Sequence, residues 1–455
     1  MFYDKLKAPQ AELWIPTAKV VRPAKSDFYS KLDLTLESFD FARQVRELCA
    51  PAYDHSGAGR PGIDPVVYFK MLMAGFFENL PSERAIASRC ADSISIREFL
   101  HYELSEATPD HTSLSVIRQR LSGEVFEAVF KIILAALQKH GLLKGKNLGI
   151  DSSVMEANAS LRGLVNRNTG EQYWQYVRSL AREQGVNPDD ADAVRKFDRK
   201  RPKKMSNQEW ENPHDPDAKI GPKKDGATDM LYKPETVVDL DTGTITGAQV
   251  LPGDQPDAKD ASTRLTEPQK TINEVSGKNE NEKTMETVTA DKGYYDVQEI
   301  KKLQSQGIKT VISDRLSDKR RLDKLGKEDL AAVKSARRSA QSKYGKDLLR
   351  RRGMHLERPF AHILDCGGMR RATLKGLEKL NKRFKVAAAF YNLSQLMRRL
   401  IGFGTPKQWE AGHEGVLGSV LWITIILCHV VERILKTIRT YRLPYWISDA
   451  RRLAI

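Results

Sequence analysis

Two aspartates stand at the ends of short apolar runs that are typical of β-strands. Asp151 follows the run NLGI, and Asp291 follows the run TVTA and precedes the turn-forming sequence KGYYD. Carboxylates at the ends of neighbouring strands can converge at one edge of a sheet, where ligand sites commonly lie. Taken alone, each aspartate is more commonly a turn former or a helix cap. Whether the two aspartates form a catalytic site therefore depends on acidic partners elsewhere in the chain.

Converging carboxylates could support phosphodiester chemistry. That chemistry requires an oxygen nucleophile aimed at phosphorus and neutralisation of charge on the attacking and leaving oxygens, which two Mg²⁺ ions roughly 4 Å apart can provide. Mg²⁺ prefers oxygen ligands and takes only a few of them from the protein. About three acidic side chains must therefore meet. The helical segment HLERPFAHIL offers Glu357 as a third candidate.

The elements that must position these carboxylates follow from the apolar pattern. In chain order the pattern predicts a strand at 148–150, two strands joined by a hairpin at Asp241-Thr242-Gly243, a helix at 260–275, the strand before Asp291, a helix that ends at Gly307 and the strand IKTVISD. This order predicts a mixed sheet flanked by helices rather than a doubly wound parallel sheet.

The N-terminal part is predicted to be helical. After an irregular lead-in over residues 1–58, residues 59–145 have apolar side chains at helical spacing, with Ser82 and either Asp110 or Thr112 as helix caps. The unit is compatible with a helix-turn-helix DNA reader and equally with an ordinary helical bundle. Its arginines, among them Arg84 and Arg118, are either a solvated surface or contacts to DNA.

Three further segments have unusual composition. Residues 162–229 are polar, with one helix predicted at WQYVRSLAREQG and little other core-forming sequence, which indicates a nucleic-acid-facing insertion or a partly mobile linker. Residues 315–352 are strongly basic and form either a surface helix or a phosphate-contacting element. Residues 416–431 are apolar but shorter than the roughly 20 residues of a membrane span, so a buried helix is favoured over a membrane contact.

The composition of the whole chain narrows the class of protein. At 455 residues it is long enough for two or three folding units, and its formal charge of +15 favours polyanionic partners, with nucleic acid ahead of a membrane surface. The four cysteines lack metal-ligand or disulfide spacing, and the N-terminus lacks a signal peptide, which together predict a cytoplasmic protein. No phosphate-binding loop for ATP is present.

The joint order of several blocks resembles the DDE-type transposases of bacterial insertion sequences, over residues 59–400. The blocks are GIDSSVMEA, KPETVVDLDTGTITGAQVLPGDQPDA, TADKGYYD, LERPFAHIL and RRATLKGLEKLNKRFKVAAAFYNLSQL. The resemblance implies an α+β chain in which a helical DNA-binding domain is followed by an RNase H-like mixed sheet over 146–400. A polar insertion follows the first strand, and a helical tail occupies 401–455.

The resemblance also implies the site and the activity. Asp151, Asp291 and Glu357 correspond to the catalytic, metal-binding triad on the first strand, the fourth strand and a late helix, with two Mg²⁺ or Mn²⁺ ions as cofactors. The implied activity is cutting at the element ends and joining of the 3′-hydroxyl to target DNA. The implied partners are both DNAs and a second copy of the chain, without a small-molecule substrate, in the cytoplasm near the nucleoid.

The sequence departs from the family pattern around the glutamate. In related transposases a lysine follows the glutamate by about seven residues, where this chain has Leu364. The expected upstream residues are available as Tyr344 and Arg352, but they are loosely spaced. Glu378 is a competing choice for the acid, and Glu357 is preferred because ERPF stands where the family places its glutamate.

Six side chains are candidate contacts to nucleic acid: Lys292, Tyr294, Arg352, Arg358, Arg84 and Arg118. Lys292 could contact a phosphate and Tyr294 could stack on a base. Packing of the turn is the alternative role for both. His355 and His362 flank Glu357 without the HExxH spacing of a zinc site, and a structural or phosphate-contacting role is expected for them.

Two other functions remain open from the sequence. One is a DNA-binding protein without catalysis, such as a decayed copy of an element. The other is a hydrolytic nuclease of the same fold. Loss of cleavage in an Asp291→Asn variant would separate an enzyme from the first, and joining of a precut 3′-hydroxyl end would separate a transposase from the second.

Overall fold

The chain combines an N-terminal set of helices with a mixed β-sheet that further helices cover. The computed structural model describes residues 25–53, 62–201, 205–223, 225–314 and 325–413. A helical N-terminal part is followed by a mixed sheet with flanking helices, as the sequence predicts, so the α+β class is confirmed.

Seven helices form the N-terminal part of the described chain. They are α1 (Lys25–Glu37), α2 (Phe41–Cys49), α3 (Pro65–Phe77), α4 (Glu83–Asp92), α5 (Ile94–Phe99), α6 (His111–Arg120) and α7 (Gly123–Lys139). The sequence of α3, PVVYFKMLMAGFF, has almost no polar face, so α3 lies at the centre of the unit with most of its side chains buried. Helices α1 and α2 fall in the predicted lead-in, yet they pack against α5, α3 and α7 and belong to the same unit.

Side-chain caps fix where two of these helices begin. Ser82 Oγ accepts a hydrogen bond of 3.2 Å from the Ala85 N–H at the start of α4. Asp110 Oδ1 accepts one of 2.7 Å from the Ser113 N–H at the start of α6, and this bond lowers the pKa of Asp110 to about 2. Both predicted caps are confirmed, with Asp110 rather than Thr112 as the cap of α6.

The sheet contains most of the strands in the described chain. In chain order the strands are β1 (Asn147–Ser152), β2 (Met155–Glu156), β3 (Val165–Asn166), β4 (Trp210–Glu211), β5 (Lys219–Pro222), β6 (Thr228–Asp239), β7 (Ile245–Pro252), β8 (Thr287–Ala290) and β9 (Lys309–Ile312). The five main strands lie in the order β7-β6-β1-β8-β9, with β2 and β5 paired to the first half of β6. Strands β7, β6 and β1 are antiparallel, whereas β1, β8 and β9 are parallel.

Helices pack on the sheet and complete the core. The remaining helices are α8 (Tyr173–Glu183), α9 (Ala191–Lys200), α10 (Ala261–Val275), α11 (Val297–Ser305), α12 (Lys327–Gln341), α13 (Lys343–Phe360), α14 (Leu377–Ile401) and α15 (Pro406–His413). Helix α13 packs against β1, β6, β8 and β9, while α10 and α14 pack against β7 and α7. All four residues of β8 are buried, as expected for a parallel strand covered on both faces.

The polar insertion is more ordered than the sequence predicts. Besides the predicted helix, α8, it contains α9 and the small β3–β4 sheet. Tyr173 and Trp210 are buried and meet edge to face at 5.0 Å between ring centroids, and Tyr173 donates a 2.9 Å hydrogen bond to Asp198. The insertion therefore has its own small core. Its last part, β5, joins the main sheet.

The predicted turns and stops are confirmed where the structure describes them. The hairpin between β6 and β7 turns at Gly243, whose φ of 80° is readily adopted only by glycine. Gly307, with φ 73°, follows the end of α11. The apolar residues 416–431 lie outside the described residues, as does the start of the basic segment. No helix within the described ranges has the length and apolar character needed to cross a membrane.

Candidate active site

The two strand-end aspartates lie side by side. Strands β1 and β8 pair in parallel, with Leu148 opposite Val288 and Gly149 opposite Thr289. Two further residues along each strand bring Asp151 and Asp291 to the same edge of the sheet. The parallel pairing required to align the carboxyl ends of the two strands is present.

Asp291 ends β8 and also forms the turn that follows. Its Oδ1 accepts a 2.8 Å hydrogen bond from the Gly293 N–H, and the chain turns through the 3₁₀ segment Lys292–Tyr294. The turn-forming and the site-forming interpretations of this aspartate are therefore compatible, since one carboxylate oxygen caps the turn.

Asp151 is partly buried and is paired with an arginine. Its side chain is 27% exposed, and Oδ2 forms an ion pair of 2.8 Å with the guanidinium of Arg352 on α13. The pKa of Asp151 is raised to about 6, mainly by burial, with smaller contributions from the carboxylates of Asp291 and Asp257, whereas Arg352 acts to lower it. The unfavourable burial of negative charge outweighs the ion pair.

Asp257, in the loop between β7 and α10, is a third carboxylate at this edge that the sequence prediction missed. Its Oδ1 accepts hydrogen bonds from Ser152 Oγ at 2.7 Å and from Lys233 Nζ at 2.9 Å. In the sequence, Asp257 belongs to the block VLPGDQPDA and lies shortly after a predicted strand. No periodicity or motif there distinguishes Asp257 from an ordinary surface loop residue.

A buried network lies beneath the carboxylates. Glu235, which is 1% exposed on β6, accepts hydrogen bonds from Arg264 Nε at 2.8 Å and from Tyr294 Oη at 2.9 Å. Burial, and then the Glu235 carboxylate, raise the pKa of Tyr294, so its hydroxyl remains the donor. Arg264 also donates to the backbone carbonyl of Asp257. The network thus ties the turn after Asp291 to the loop of Asp257.

Tyr294 does not fit its predicted contact with a base. The side chain is 2% exposed and its hydroxyl is bound to Glu235, so the ring packs within the fold. Lys292, one residue after Asp291, is exposed. Packing of the turn is therefore the role of the tyrosine, while the lysine is free to meet solvent or a ligand.

The predicted third acid, Glu357, lies on α13 with an exposed side chain. Residues five apart on a helix point about 140° away from each other, so the side chain of Glu357 leaves the helix in a different direction from that of Arg352. Within the described ranges, no three His, Cys, Asp or Glu side chains are arranged to hold a metal ion. The structure brings together Asp151 and Asp291, and the membership of Glu357 stays a prediction.

The competing acids are engaged elsewhere. Glu378 is exposed on α14 and forms a 2.6 Å ion pair with Lys382, on a helix that packs mainly against α7 and β7. Glu156 pairs with Lys223 at 3.2 Å. These positions favour Glu357 over Glu378 because α13, unlike α14, packs against the two strands that carry the aspartates.

The arginines predicted to contact DNA differ in how exposed their side chains are. Arg84 and Arg358 are exposed, whereas Arg118 is 7% exposed and forms an ion pair with the partly buried carboxylate of Glu83. The predicted DNA contact by Arg118 is therefore wrong, because its guanidinium is enclosed between helices. Arg370, which the sequence prediction missed, donates a 3.1 Å hydrogen bond to Ser153 Oγ close to Asp151.

The histidines near Glu357 are structural, as expected. His362 stacks on Phe76 with ring centroids 5.1 Å apart, and His355 lies against the Gly243 turn. Burial lowers the pKa of both histidines. Leu364, at the position of the family's lysine, is fully buried, so it fills the core where the family pattern has a charged residue.

The donors at the sheet edge fit a hard divalent cation. Asp151 and Asp291 offer only oxygen ligands, which suits Mg²⁺ or Mn²⁺ better than a thiolate- or imidazole-binding metal. The pKa of Asp151 is raised mainly by burial of its charge and to a smaller extent by Asp291 and Asp257, and a cation bound beside these carboxylates would favour their charged forms.

Two family models match the chain. One, described as a transposase domain (DUF772), matches residues 18–120, and the other, described as a transposase DDE domain, matches residues 195–393. The chain belongs to the DDE-type transposases of insertion sequences. No match to this transposase is found among curated proteins or among solved structures. The DDE match includes Asp291 and Glu357 but begins after Asp151, so the assignment of Asp151 rests on its position beside Asp291.

Proposed function

We propose that this transposase cuts DNA at the ends of its insertion sequence and joins the freed 3′-hydroxyl to target DNA, with Asp151, Asp291 and Glu357 as catalytic, metal-binding residues. The observation that carries the proposal is the juxtaposition of Asp151 and Asp291 across two parallel strands. A pair of turn-forming aspartates would not need to share one edge of the sheet or to be partly buried there.

The side chains around the site have separate tasks in this proposal. Asp151 and Asp291 hold the cations, and Glu357 completes the ligand set. The chemistry supplied by two bound Mg²⁺ or Mn²⁺ ions is neutralisation of charge on the attacking and leaving oxygens. Arg352 neutralises Asp151 in the metal-free state. Lys292 and Arg358, which are exposed, are proposed to bind phosphates of the DNA strands.

The N-terminal helices are proposed to bind the element ends. The exposed Arg84 on α4 is the candidate contact there, and the formal charge of +15 favours DNA in general through counterion release. Two copies of the chain, one for each end, would bring the ends together on chromosomal DNA in the cytoplasm. The proposed boundary between DNA binding and catalysis is the segment between α7 and β1.

The test is a strand-transfer assay with a precut end. The substrate is a duplex that carries the DNA flanking the coding region and ends in a 3′-hydroxyl, with a supercoiled plasmid as target and Mg²⁺ as cation. The expected product is the duplex covalently joined to the plasmid. An enzyme that only nicks and never joins would refute the transposase function while leaving a nuclease.

Two variants test whether cleavage and joining depend on Asp291. Asp291→Asn removes one charge at the site and is expected to abolish cleavage and joining. Asp254→Asn makes the same change at an exposed loop residue and is expected to retain both activities. Undiminished cleavage by the Asp291 variant would refute the catalytic assignment.

A further inference from the structure

The loop between β7 and α10 brings a carboxylate to the site from outside the predicted triad. Asp257 Oδ1 is held by Ser152 Oγ at 2.7 Å and by Lys233 Nζ at 2.9 Å. Ser152 directly follows Asp151. The backbone carbonyl of Asp257 accepts a hydrogen bond from Arg264, so both the loop and its side chain are fixed from the fold beneath.

The second oxygen of Asp257 faces Asp291. A Cβ atom placed on Gly293 would lie 2.9 Å from Asp257 Oδ2 and 2.9 Å from Asp291 Oδ1. The two oxygens are therefore separated by no more than twice that distance. Gly293 leaves open the space between them, because any side chain there would collide with both. Asp257 Oδ2 accepts no hydrogen bond from the described residues, in contrast to Oδ1.

The carboxylates at this edge are not all paired. Asp151 forms an ion pair with Arg352 and Asp257 forms one with Lys233, whereas Asp291 forms no ion pair with a described residue. Three neighbouring carboxylates, one of them without a cationic partner and another with one oxygen that accepts no hydrogen bond from the described residues, are an arrangement that attracts a cation.

We propose that Asp257 is a further carboxylate ligand of the divalent cation site formed by Asp151 and Asp291. This inference rests on the proposed function and adds one residue to its metal site. Oδ1 anchors the side chain and Oδ2 binds the cation. In the metal-free protein Arg352 is paired with Oδ2 of Asp151, and the described carboxylates are not yet arranged to hold an ion.

A purely structural role is the competing explanation. If Asp257 only anchored its loop, its bonds to Ser152 and Lys233 would be its whole contribution. Ser152→Ala removes the 2.7 Å bond and keeps the carboxylate. Asp257→Asn keeps an oxygen that can accept the bond from Ser152 and removes the negative charge. The two variants therefore separate anchoring from cation binding.

The experiment measures Mn²⁺ affinity by isothermal titration calorimetry of the full-length protein without DNA. Removal of residues that merely support metal ligands commonly weakens metal binding about 10- to 100-fold, so loss of a direct ligand should weaken it at least about 10-fold. We expect this loss for Asp257→Asn and for Asp291→Asn. Asp254→Asn should bind Mn²⁺ like the wild type, and Ser152→Ala, which removes one anchor of Asp257 but keeps its carboxylate, should weaken binding clearly less than Asp257→Asn does. Asp257→Ser provides a second variant, and melting temperatures in EDTA verify that each protein is folded.

The outcomes are distinguishable. If Asp291→Asn weakens Mn²⁺ binding and Asp257→Asn binds like Asp254→Asn, Asp257 is not a ligand and the proposed function stands. Equal losses for Ser152→Ala and Asp257→Asn would also overturn the inference, in favour of anchoring. If Asp291→Asn binds Mn²⁺ like the wild type, the metal site itself is refuted, and the role of Asp257 falls with it.

Discussion

Replacement of Asp151 by asparagine should stabilise the metal-free protein at neutral pH. The ordinary pKa of an aspartate is about 3.9, and burial raises that of Asp151 to about 6. The folded state therefore binds a proton more tightly than the unfolded state. Stability is highest when the carboxyl is protonated and falls as pH rises from about 4 through about 6, because the unfolded state releases its proton first.

The size of the effect follows from the same shift. Each pKa unit corresponds to about 1.4 kcal/mol, so a shift of about two units penalises the charged form by at most about 3 kcal/mol. The side chain is 27% exposed, and solvent screening reduces this figure to about 2 kcal/mol. Arg352 loses its partner in the variant, but burial outweighs that ion pair in setting the pKa. The net change is therefore stabilising.

The assay is thermal unfolding in EDTA between pH 4 and pH 8. A gain of about 2 kcal/mol corresponds to a rise in melting temperature of about 4–8 °C for a domain of 150–250 residues. We expect this rise for Asp151→Asn above pH 7 and no difference from the wild type near pH 4. Asp254→Asn, at an exposed position, should match the wild type throughout. A destabilised Asp151→Asn variant, or a difference independent of pH, would refute the reasoning.

Four further substitutions have defined outcomes. Tyr294→Phe removes one hydrogen-bond donor from the buried Glu235 and should lower the free energy of unfolding, measured by urea titration, by about 1–3 kcal/mol. The affinity for DNA should not change. Weaker DNA binding without a loss of stability would indicate that Tyr294 stacks on a base. Arg118→Met leaves the partly buried carboxylate of Glu83 without its guanidinium partner and should destabilise the protein by about 1–3 kcal/mol. Arg84 is exposed, so Arg84→Met should keep the wild-type melting temperature and reduce the slope of log affinity for DNA against log salt concentration by about one. A destabilised Arg84 variant together with a stable Arg118 variant would contradict the exposures of the two arginines. Gly293→Ala places a Cβ against two carboxylates and should weaken Mn²⁺ binding at least about 10-fold, whereas wild-type affinity would show that the space is not needed.

The sequence predicted the pair of aspartates because the signal is local. A short apolar run that ends in aspartate, repeated twice, indicates two strands with carboxylates at their ends, and parallel pairing then brings them together. The mixed sheet followed from the order of helical and strand patterns for the same reason. Asp257 was missed because its place beside Asp291 depends on how a loop crosses the sheet edge, and no periodicity encodes that.

Burial of single side chains was the main source of error. Arg118 has the local sequence of a surface arginine, and only the packing of α6 against α4 encloses it with Glu83. Tyr294 sits in a turn that looked exposed, yet its hydroxyl points inward to Glu235 on a distant strand. The core of the insertion was overlooked because Tyr173 and Trp210 are far apart in a polar stretch and meet only in three dimensions.

Crystals of the protein soaked in Mn²⁺ would test the proposed metal site without any activity measurement. The position of the ion is located by anomalous diffraction. We expect an anomalous peak within coordination distance of carboxylate oxygens from both Asp151 and Asp291. A Mn²⁺ ion bound elsewhere, with Asp151 still paired to Arg352 and no peak between the two aspartates at saturating Mn²⁺, would contradict the metal-binding role of the pair.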